Sequence, residues 1–314
     1  MRGIGSEPDL RAWANHAWPE HDWSVARVAH GAFHHVLLLS TVVARVATGD
    51  RGRQRTEREA SVLAAVTALR LSVATPAVLG PPVTTYGRSG QRTTVVAGEH
   101  REQAPWREVR EGFAALLSQL AAVPVADGRG VAGAGEAVMS SSATGGLGAP
   151  RQWCGGAAWP QLVTEHLAPH LSAAAGTAAG QVVAAVLAAE RGVPAGFVHG
   201  DLGPHNVLWT GRHISGLIDL DHAAVADPAI DVAPLVGRYG ARQVAEIVPG
   251  EVVQRAMVHR ASLSLQVAAA AELAGQAGLR DHALRNFTHR LANGTLYDPG
   301  GHRPCSGAGT GRLP

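Results

Sequence analysis

The sequence has no lysine: all 27 basic residues are arginine. Together with the excess of alanine and glycine, this is the residue usage of a GC-rich coding sequence, so arginine content alone does not indicate function. Aspartate and glutamate number 25 and the formal net charge is only +2. The basic residues are scattered, so there is no stripe for nucleic acid and no polybasic patch for a membrane surface. Cysteine is also scarce. Cys154 and Cys305 are far apart and lack the spacing of a thiolate metal site; a single disulfide stays open, and a reducing cytosol is the simpler reading. No run is long and apolar enough for a membrane span, since "LSAAAGTAAGQVVAAVLAAE" is mostly Ala and Gly and is broken by Gln181. The N-terminal "MRGIGSEPDLRAWANHAWPE" carries acids and no continuous apolar core, unlike a secretory signal. These absences lead us to expect a cytoplasmic protein, a monomer by default, with neither nucleic acid nor membrane as a partner. Aromatics make up 4% of the chain, so the core must come from small aliphatic side chains, with seven Trp as anchors.

The 314 residues suffice for one large domain or two linked lobes. Residues 23–47 hold three short β-favouring runs, separated by Gly31 and by Ser40-Thr41, which predicts an antiparallel meander. The period then changes: Ala60, Leu63, Ala64 and Leu69 recur at helical spacing. Prolines 76, 81 and 82 punctuate a loop, "RTTVVAG" reads as a strand ending at Gly98, and "WREVREGFAALLSQLAAV" is an amphipathic helix. Residues 125–156 collapse to Gly, Ala and Ser and are expected to form a flexible insertion. Two helical stretches follow over 159–190. A polar loop and a hairpin, "NVLWT" and "ISGLIDLD", come next, and then helical patterns to about 296; the tail from Asp298 is expected to fray.

The polar loop is "FVHGDLGPHNVLW", and thirteen positions after its Asn206 comes Asp219 of "IDLD", with "ADPAIDVAPL" beyond. These residues resemble the catalytic loop and metal-binding segment of the aminoglycoside phosphotransferase family, small-molecule kinases with a protein-kinase-like fold. The motif match covers 197–235, and the order of elements agrees over nearly the whole chain. The resemblance implies a bilobal α+β fold. Its N-terminal nucleotide-binding lobe would be an antiparallel sheet with one helix (1–98), and its mainly helical C-terminal lobe (99–314) would carry the catalytic and substrate sites. It also implies ATP as co-substrate, Mg²⁺, and a small hydroxyl-bearing acceptor, with antibiotic resistance as one setting. Phosphoryl transfer needs an aimed hydroxyl and cations held against phosphates. Asp201 suits the role of catalytic base, while Asn206 and Asp219 offer the hard oxygens that Mg²⁺ takes. His199 is read as loop support, as are Asp227 and Asp231 near a helix start; His205 has no assigned role. By the resemblance, Leu208 and Ile218 form the floor beneath adenine.

The same resemblance requires a phosphate-gripping cation on the third strand, which is Arg45 of "VVARVAT", and a carboxylate partner, Glu59. Arg stands where the wider fold has Lys, and a guanidinium also grips phosphate. Gly31, with Phe33 or His34 at the tip, would be the loop over the phosphates, and Val95 to Gly98, including Val96, the hinge at the adenine edge. From Val232 onward the only acids are Glu246, Glu251, Glu272, Asp281 and Asp298, against nine Arg, which argues against assuming a polycationic acceptor. The alternatives are a metabolic kinase of an amino alcohol or sugar, or a non-catalytic kinase-like protein that binds a nucleotide or partner. A zinc site among His199, His205, His213 and His222 ranks below Mg²⁺, since no HExxH spacing occurs.

Overall fold

The computed structural model describes residues 6–31, 33–48, 51–125 and 146–304. Helix α1 (Glu7–Ala17) opens on a capping box in which the Ser6 hydroxyl donates to Asp9 at 2.8 Å and the Ser6 amide donates to the same carboxylate at 3.1 Å. The sequence signal was the Ser6 to Asp9 spacing with Pro8 in the first turn, and the reading above assigned no element there. The helix packs Leu10, Trp13 and Ala14 onto the first sheet together with Trp18 and Trp23. Trp13 and Trp18 meet edge to face at 5.3 Å, and the Trp23 indole donates to the Trp18 carbonyl at 3.1 Å. Three of the seven Trp thus anchor a core whose other members are small aliphatics.

The first sheet has five strands in the order β1-β2-β3-β5-β4: β1 (Arg27–His30), β2 (His34–Leu38), β3 (Val42–Ala47), β4 (Val83–Thr85) and β5 (Arg88–Thr94). The expected meander is present, although Trp23–Val25 forms a single 3₁₀ turn and the first strand starts at Arg27. Period-two alternation along β3 buries Val42, Ala44 and Val46 against the Trp cluster. Arg45 therefore points to the opposite face, where helix α2 (Gly52–Leu69) lies. That helix buries Glu59, Val62, Leu63, Val66 and Leu69; Ala64 of the expected stripe is exposed, so the true apolar face is rotated toward Val62 and Val66.

The chain leaves the sheet through residues 95–98. Gly98 has φ of 140°, and a Cβ there would lie 2.8 Å from the Leu208 Cβ, so glycine is required at this crossing. Next come β6 (Glu99–His100), helix α3 (Trp106–Ala121), and the hairpin β8 (Val207–Thr210) and β9 (His213–Leu217), with β6-β8-β9 forming a small sheet. Ala74, in the loop after α2, accepts from the Leu217 amide and donates to the Ser215 carbonyl, both at 2.9 Å, tying the first half of the chain to the hairpin. A second small sheet pairs β7 (Gly196–Val198) with β10 (Ala224–Ala226). The rest is helical: α4 (Ala173–Ala189), α5 (Ala229–Tyr239), α6 (Gly250–Leu273) and α7 (Ala277–Ala292), with α6 central and packed on α4, α5 and α7. An antiparallel-sheet half followed by a mainly helical half is the bilobal α+β architecture expected from the order of elements.

Two expectations are corrected. Of the insertion expected to be flexible over 125–156, residues 126–145 lie outside the described residues, and the remainder is packed. Gly148 donates to Ala223, Cys154 is fully buried, and Trp153 stacks on His222 at 4.4 Å. Small residues here serve close packing rather than freedom. The tail from Asp298 is likewise tied as far as it is described: the Asp298 carboxylate accepts from the Ala241 amide at 2.7 Å and the Gly300 amide at 2.9 Å. Cys154 is a free thiol, and burial raises its pKa; Cys305 lies outside the described residues. Among the described residues, no helix is long and apolar enough to cross a membrane.

Because Trp23 is fully buried and its loss leaves a cavity in the Trp cluster, Trp23→Ala is expected to destabilise the protein by about 3–5 kcal/mol. A lowered urea midpoint, with the fold retained in far-UV circular dichroism, checks this.

Candidate functional site

Asp201 follows β7 in a loop whose backbone is fixed from two sides. Asp231, in the first turn of α5, accepts from the amides of His199 and Gly200, both at 2.8 Å. The buried His199 ring accepts from the Asp201 amide through Nδ1 at 3.3 Å, which leaves the proton on Nε2 to donate to the Ile218 carbonyl at 2.9 Å. His199 thus braces the loop against the hairpin through one carbonyl and one amide, where the sequence suggested carbonyls only. Gly200 has φ of 86°, and a Cβ there would overlap the His222 carbonyl, so the turn admits only glycine.

Asn206 is buried and its amide nitrogen donates to the Asp201 carbonyl at 2.9 Å and to the Asp201 carboxylate at 3.2 Å. Both partners are acceptors, so the amide orientation is fixed and the Asn206 carbonyl oxygen is the end left for a cation. Asp219 follows β9 with φ of 62°, an unusual conformation for an aspartate, and its side chain is 42% exposed to the cleft. The Ile218 amide donates to the main-chain carbonyl of Asn206 at 3.0 Å, so the loop and the hairpin are locked in register.

Across the cleft, Arg45 donates to Asp219 at 2.7 Å and to Asp221 at 2.9 Å, while its Nε lies 3.7 Å from the buried Glu59. Burial opposes its charge, but Asp221, Glu59 and Asp219 outweigh burial and raise its pKa. Burial pushes Glu59 up against the pull of Arg45. His34, placed at the loop tip by the sequence, is buried beside them with Nε2 at 2.5 Å from Glu59. Burial, reinforced by Arg45, pushes its pKa down to about 3, so it lies against Glu59 as a neutral ring. Its Nδ1 then accepts from Arg45 at 3.4 Å.

Three carboxylates around one guanidinium leave surplus negative charge, and Asp219 with the Asn206 carbonyl supplies hard oxygens. This donor set fits Mg²⁺. His34, Glu59 and Asp221 also bring possible ligand atoms within 4.8 Å of one another, but the Arg45 guanidinium already supplies the cation there. His199, His205, His213 and His222 form no metal cluster among the described residues.

The remaining expected residues divide. Gly31 closes the β1–β2 turn by donating to the His34 carbonyl at 2.8 Å. Phe33 turns toward the helical half, with the Arg55 guanidinium 4.7 Å above its ring. Val96 and Leu208 converge on Gly216, where a Cβ would overlap Val96, and Gly98 packs against Leu208. Ile218 lies one residue past β9 rather than within it. Asp227 and Asp231 have different tasks: Asp227 accepts from the Ala229 amide at the start of α5 and from Arg255, both at 2.9 Å.

The sequence reading missed two residues. His205, left without a role, sits 3.6 Å from the Asp201 carboxylate. The Asp201 carboxylate beside it raises its pKa, and the surrounding histidines, His205 foremost, outweigh burial and keep the Asp201 pKa below its usual value. Asp221 was visible as the second Asp of "IDLD", and only the fold shows that it shares Arg45 with Asp219.

The family model described as "Phosphotransferase enzyme family" matches residues 24–263. No curated protein matches the sequence. Among solved structures, the chain is similar to a GDP complex of aminoglycoside 2'-phosphotransferase-IIIa, with 14% identity, 92% of this chain and 99% of that one covered, and a TM-score of 0.68. It is also similar to a streptomycin–ATP ternary complex of APH(2")-IIa (15% identity, 94% and 100% covered, TM-score 0.59). A third is the macrolide 2'-phosphotransferase MphH from Brachybacterium faecium (18% identity, 89% and 97% covered, TM-score 0.56).

Burial opposes ionisation of Asp227, but His259, Arg255 and the Ala229 amide outweigh it and bring its pKa to about 2. A carboxyl whose pKa falls on folding stabilises the protein above its unfolded pKa and loses that contribution as pH falls through the folded one. Asp227→Asn is therefore expected to cost about 2 kcal/mol near neutral pH, with the difference from wild type vanishing as pH falls from about 4 to about 2. Unfolding free energies of both proteins across that range are the check.

Proposed function

Since the chain belongs to the phosphotransferase enzyme family, we propose that it moves the γ-phosphoryl group of ATP to a hydroxyl of a small molecule. The observation that carries this reading is the convergence of Asp201, Asn206 and Asp219 opposite Arg45, four side chains from both halves of the chain at one cleft. In this reading residues 1–98 form the nucleotide lobe and residues 99–314 the catalytic lobe. The resemblance in fold to enzymes solved with GDP and with ATP supports a nucleotide at that cleft.

Asp201 is the base. It stays ionised near neutral pH because its neighbours hold its pKa low, and its free carboxylate edge takes the acceptor's proton as the new bond forms. His205 and Asn206 orient that carboxylate from either side, while Asp231 and His199 hold its backbone. Arg45 grips the α- and β-phosphates, exchanging its bonds to Asp219 and Asp221 for phosphate oxygens while Glu59 anchors it from behind. A guanidinium suits this, because its five N–H donors serve a carboxylate and a phosphate at once. Asp219, once released from Arg45, and Asn206 would hold Mg²⁺, which would neutralise phosphate charge. Gly31 and Phe33 lie in the turn over the phosphates, Val96 and Gly98 at the adenine edge, and Leu208 with Ile218 beneath the ring.

The roles separate experimentally. Asp201→Ala is expected to lower kcat at least about a thousandfold while MgATP affinity stays within about threefold of wild type. Asp219→Ala is expected to weaken MgATP binding itself by about tenfold or more. Calorimetry and coupled ADP release measure the two effects; an Asp201→Ala protein with wild-type turnover would remove Asp201 from the mechanism.

A further inference from the structure

Beside the cleft lies an open cavity of about 400 Å³ that no step above uses. One wall is the start of α2, where Arg51, Arg55 and Arg58 recur at i, i+4 and i+7 and so share a face. The opposite wall comes from the end of α6, including Ala270 and Leu273, and the Trp153 ring stacked on His222 forms a flat side. Among the described residues, Asp221 is the only acid that lines it, and its charge is already met by Arg45 at 2.9 Å.

The three arginines are poorly answered. Elsewhere on α2, Arg53 pairs with Glu57 at 2.9 Å, so the helix supplies a partner where one is wanted. Among the described residues, the Arg51 and Arg58 guanidinium groups have no ion pair or hydrogen bond, and the Arg58 Nε is buried without a partner. Arg55 donates only to the carbonyls of Phe33 and Thr48, at 3.3 and 3.4 Å. Burial, followed by the neighbouring charges of Arg58 and Arg51, lowers its pKa despite Glu59. Three like charges on one wall, one with an unused buried donor, describe a site built for a multivalent oxyanion. The cavity adjoins the base, because the His222 backbone lies against Gly200, the residue before Asp201.

We propose that the phosphoryl acceptor is an oxyanion-bearing small molecule, whose carboxylate or phosphate seats against Arg51, Arg55 and Arg58 while its hydroxyl reaches Asp201. This rests on the phosphotransferase reading and narrows it, and it sets the chain apart from enzymes whose acceptors are polycations. In the step, the acceptor oxygen forms a bond to the γ-phosphorus of ATP as the bond from that phosphorus to the β,γ-bridging oxygen breaks. ADP leaves with the bonding pair, and the hydroxyl proton passes to the Asp201 carboxylate. The acceptor's own anion takes no part in bond making and serves only to position.

The test has two readouts. In the first, inorganic phosphate and malonate are titrated into the protein saturated with MgADP, so that the nucleotide site is filled. Both are expected to bind wild type and to bind Arg58→Gln and the Arg51→Gln/Arg58→Gln double variant about tenfold more weakly or worse, at unchanged thermal stability. In the second, coupled ADP release with MgATP compares glucose, glucosamine, glucuronate, glucose 6-phosphate and kanamycin. Glucuronate or glucose 6-phosphate is expected to give the highest kcat/KM, with the better of the two identifying the oxyanion, and the arginine variants are expected to raise its KM while leaving kcat and the KM for ATP nearly unchanged. Equal anion binding by wild type and variants, or preference for glucosamine or kanamycin, overturns the proposal and leaves the phosphotransferase reading standing. No MgATP binding, with no ADP formed in any arm, overturns both.

Discussion

One guanidinium joins the two halves of the cleft. Arg45 leaves the central strand of the N-terminal sheet and meets Glu59 of α2 on one side and Asp219 and Asp221 of the hairpin end on the other. A charge in that position must be paired, since a buried ion stripped of its partner costs about 3–5 kcal/mol. The sheet, α2 and the hairpin are therefore constrained to arrive at one point, and any arrangement that separates them strands either the cation or the acids. An ammonium could not do the same: a planar group with several fixed donors reaches three carboxylates through three nitrogens, as happens here. In a chain without lysine, the use of arginine at this strand position suits the geometry of its partners.

A second constraint lies underneath. The catalytic loop is positioned mainly by its own backbone, because Asp231 takes two consecutive amides and His199 converts a third amide into a bond to the hairpin carbonyl. Burial raises the Asp231 pKa to about 6 despite those amides, so the charge that holds the loop is costly where it sits. Asp227, four residues earlier, shows the opposite balance, with His259 and Arg255 more than offsetting burial. The two aspartates look alike in "ADPAID", yet one spends its stability on shaping the loop and the other anchors a helix start.

The sequence made the fold class, the three-strand meander, the helices after it and the polar loop with its hairpin legible, because periodicity and turn residues are local signals. It also singled out Asp201, Asn206 and Asp219 as a set, since a motif with fixed offsets carries its own geometry, whereas Arg45 and Glu59 came only from the family resemblance. Properties that depend on packing were not legible. Helix α1 was overlooked although Ser6 and Asp9 signal its start and Leu10, Trp13 and Ala14 fall at helical spacing, because a single turn of such spacing makes only a short stripe. The segment after 146 and the tail after Asp298 look featureless as composition. They are ordered by single contacts with distant residues, Gly148 with Ala223 and Asp298 with Ala241. His205 had no role for the same reason: its partner, four residues back, faces it only once Pro204 and Asn206 shape the turn.

Helix α2 carries two opposed electrostatic tasks on faces about a quarter-turn apart. Glu59 looks inward to Arg45, and Arg51, Arg55 and Arg58 look outward to the cavity, so adjacent residues 58 and 59 serve different partners. The helix cannot rotate to improve one contact without moving the other. Its buried stripe of Val62, Val66 and Leu69 fixes that rotation by packing alone, beyond the charged turns. Apolar burial at the far end of the helix thus sets the direction of charge at the near end. With Val62 and Val66 on the buried face, Glu59, one turn earlier, points at the strand and the arginines face the cavity.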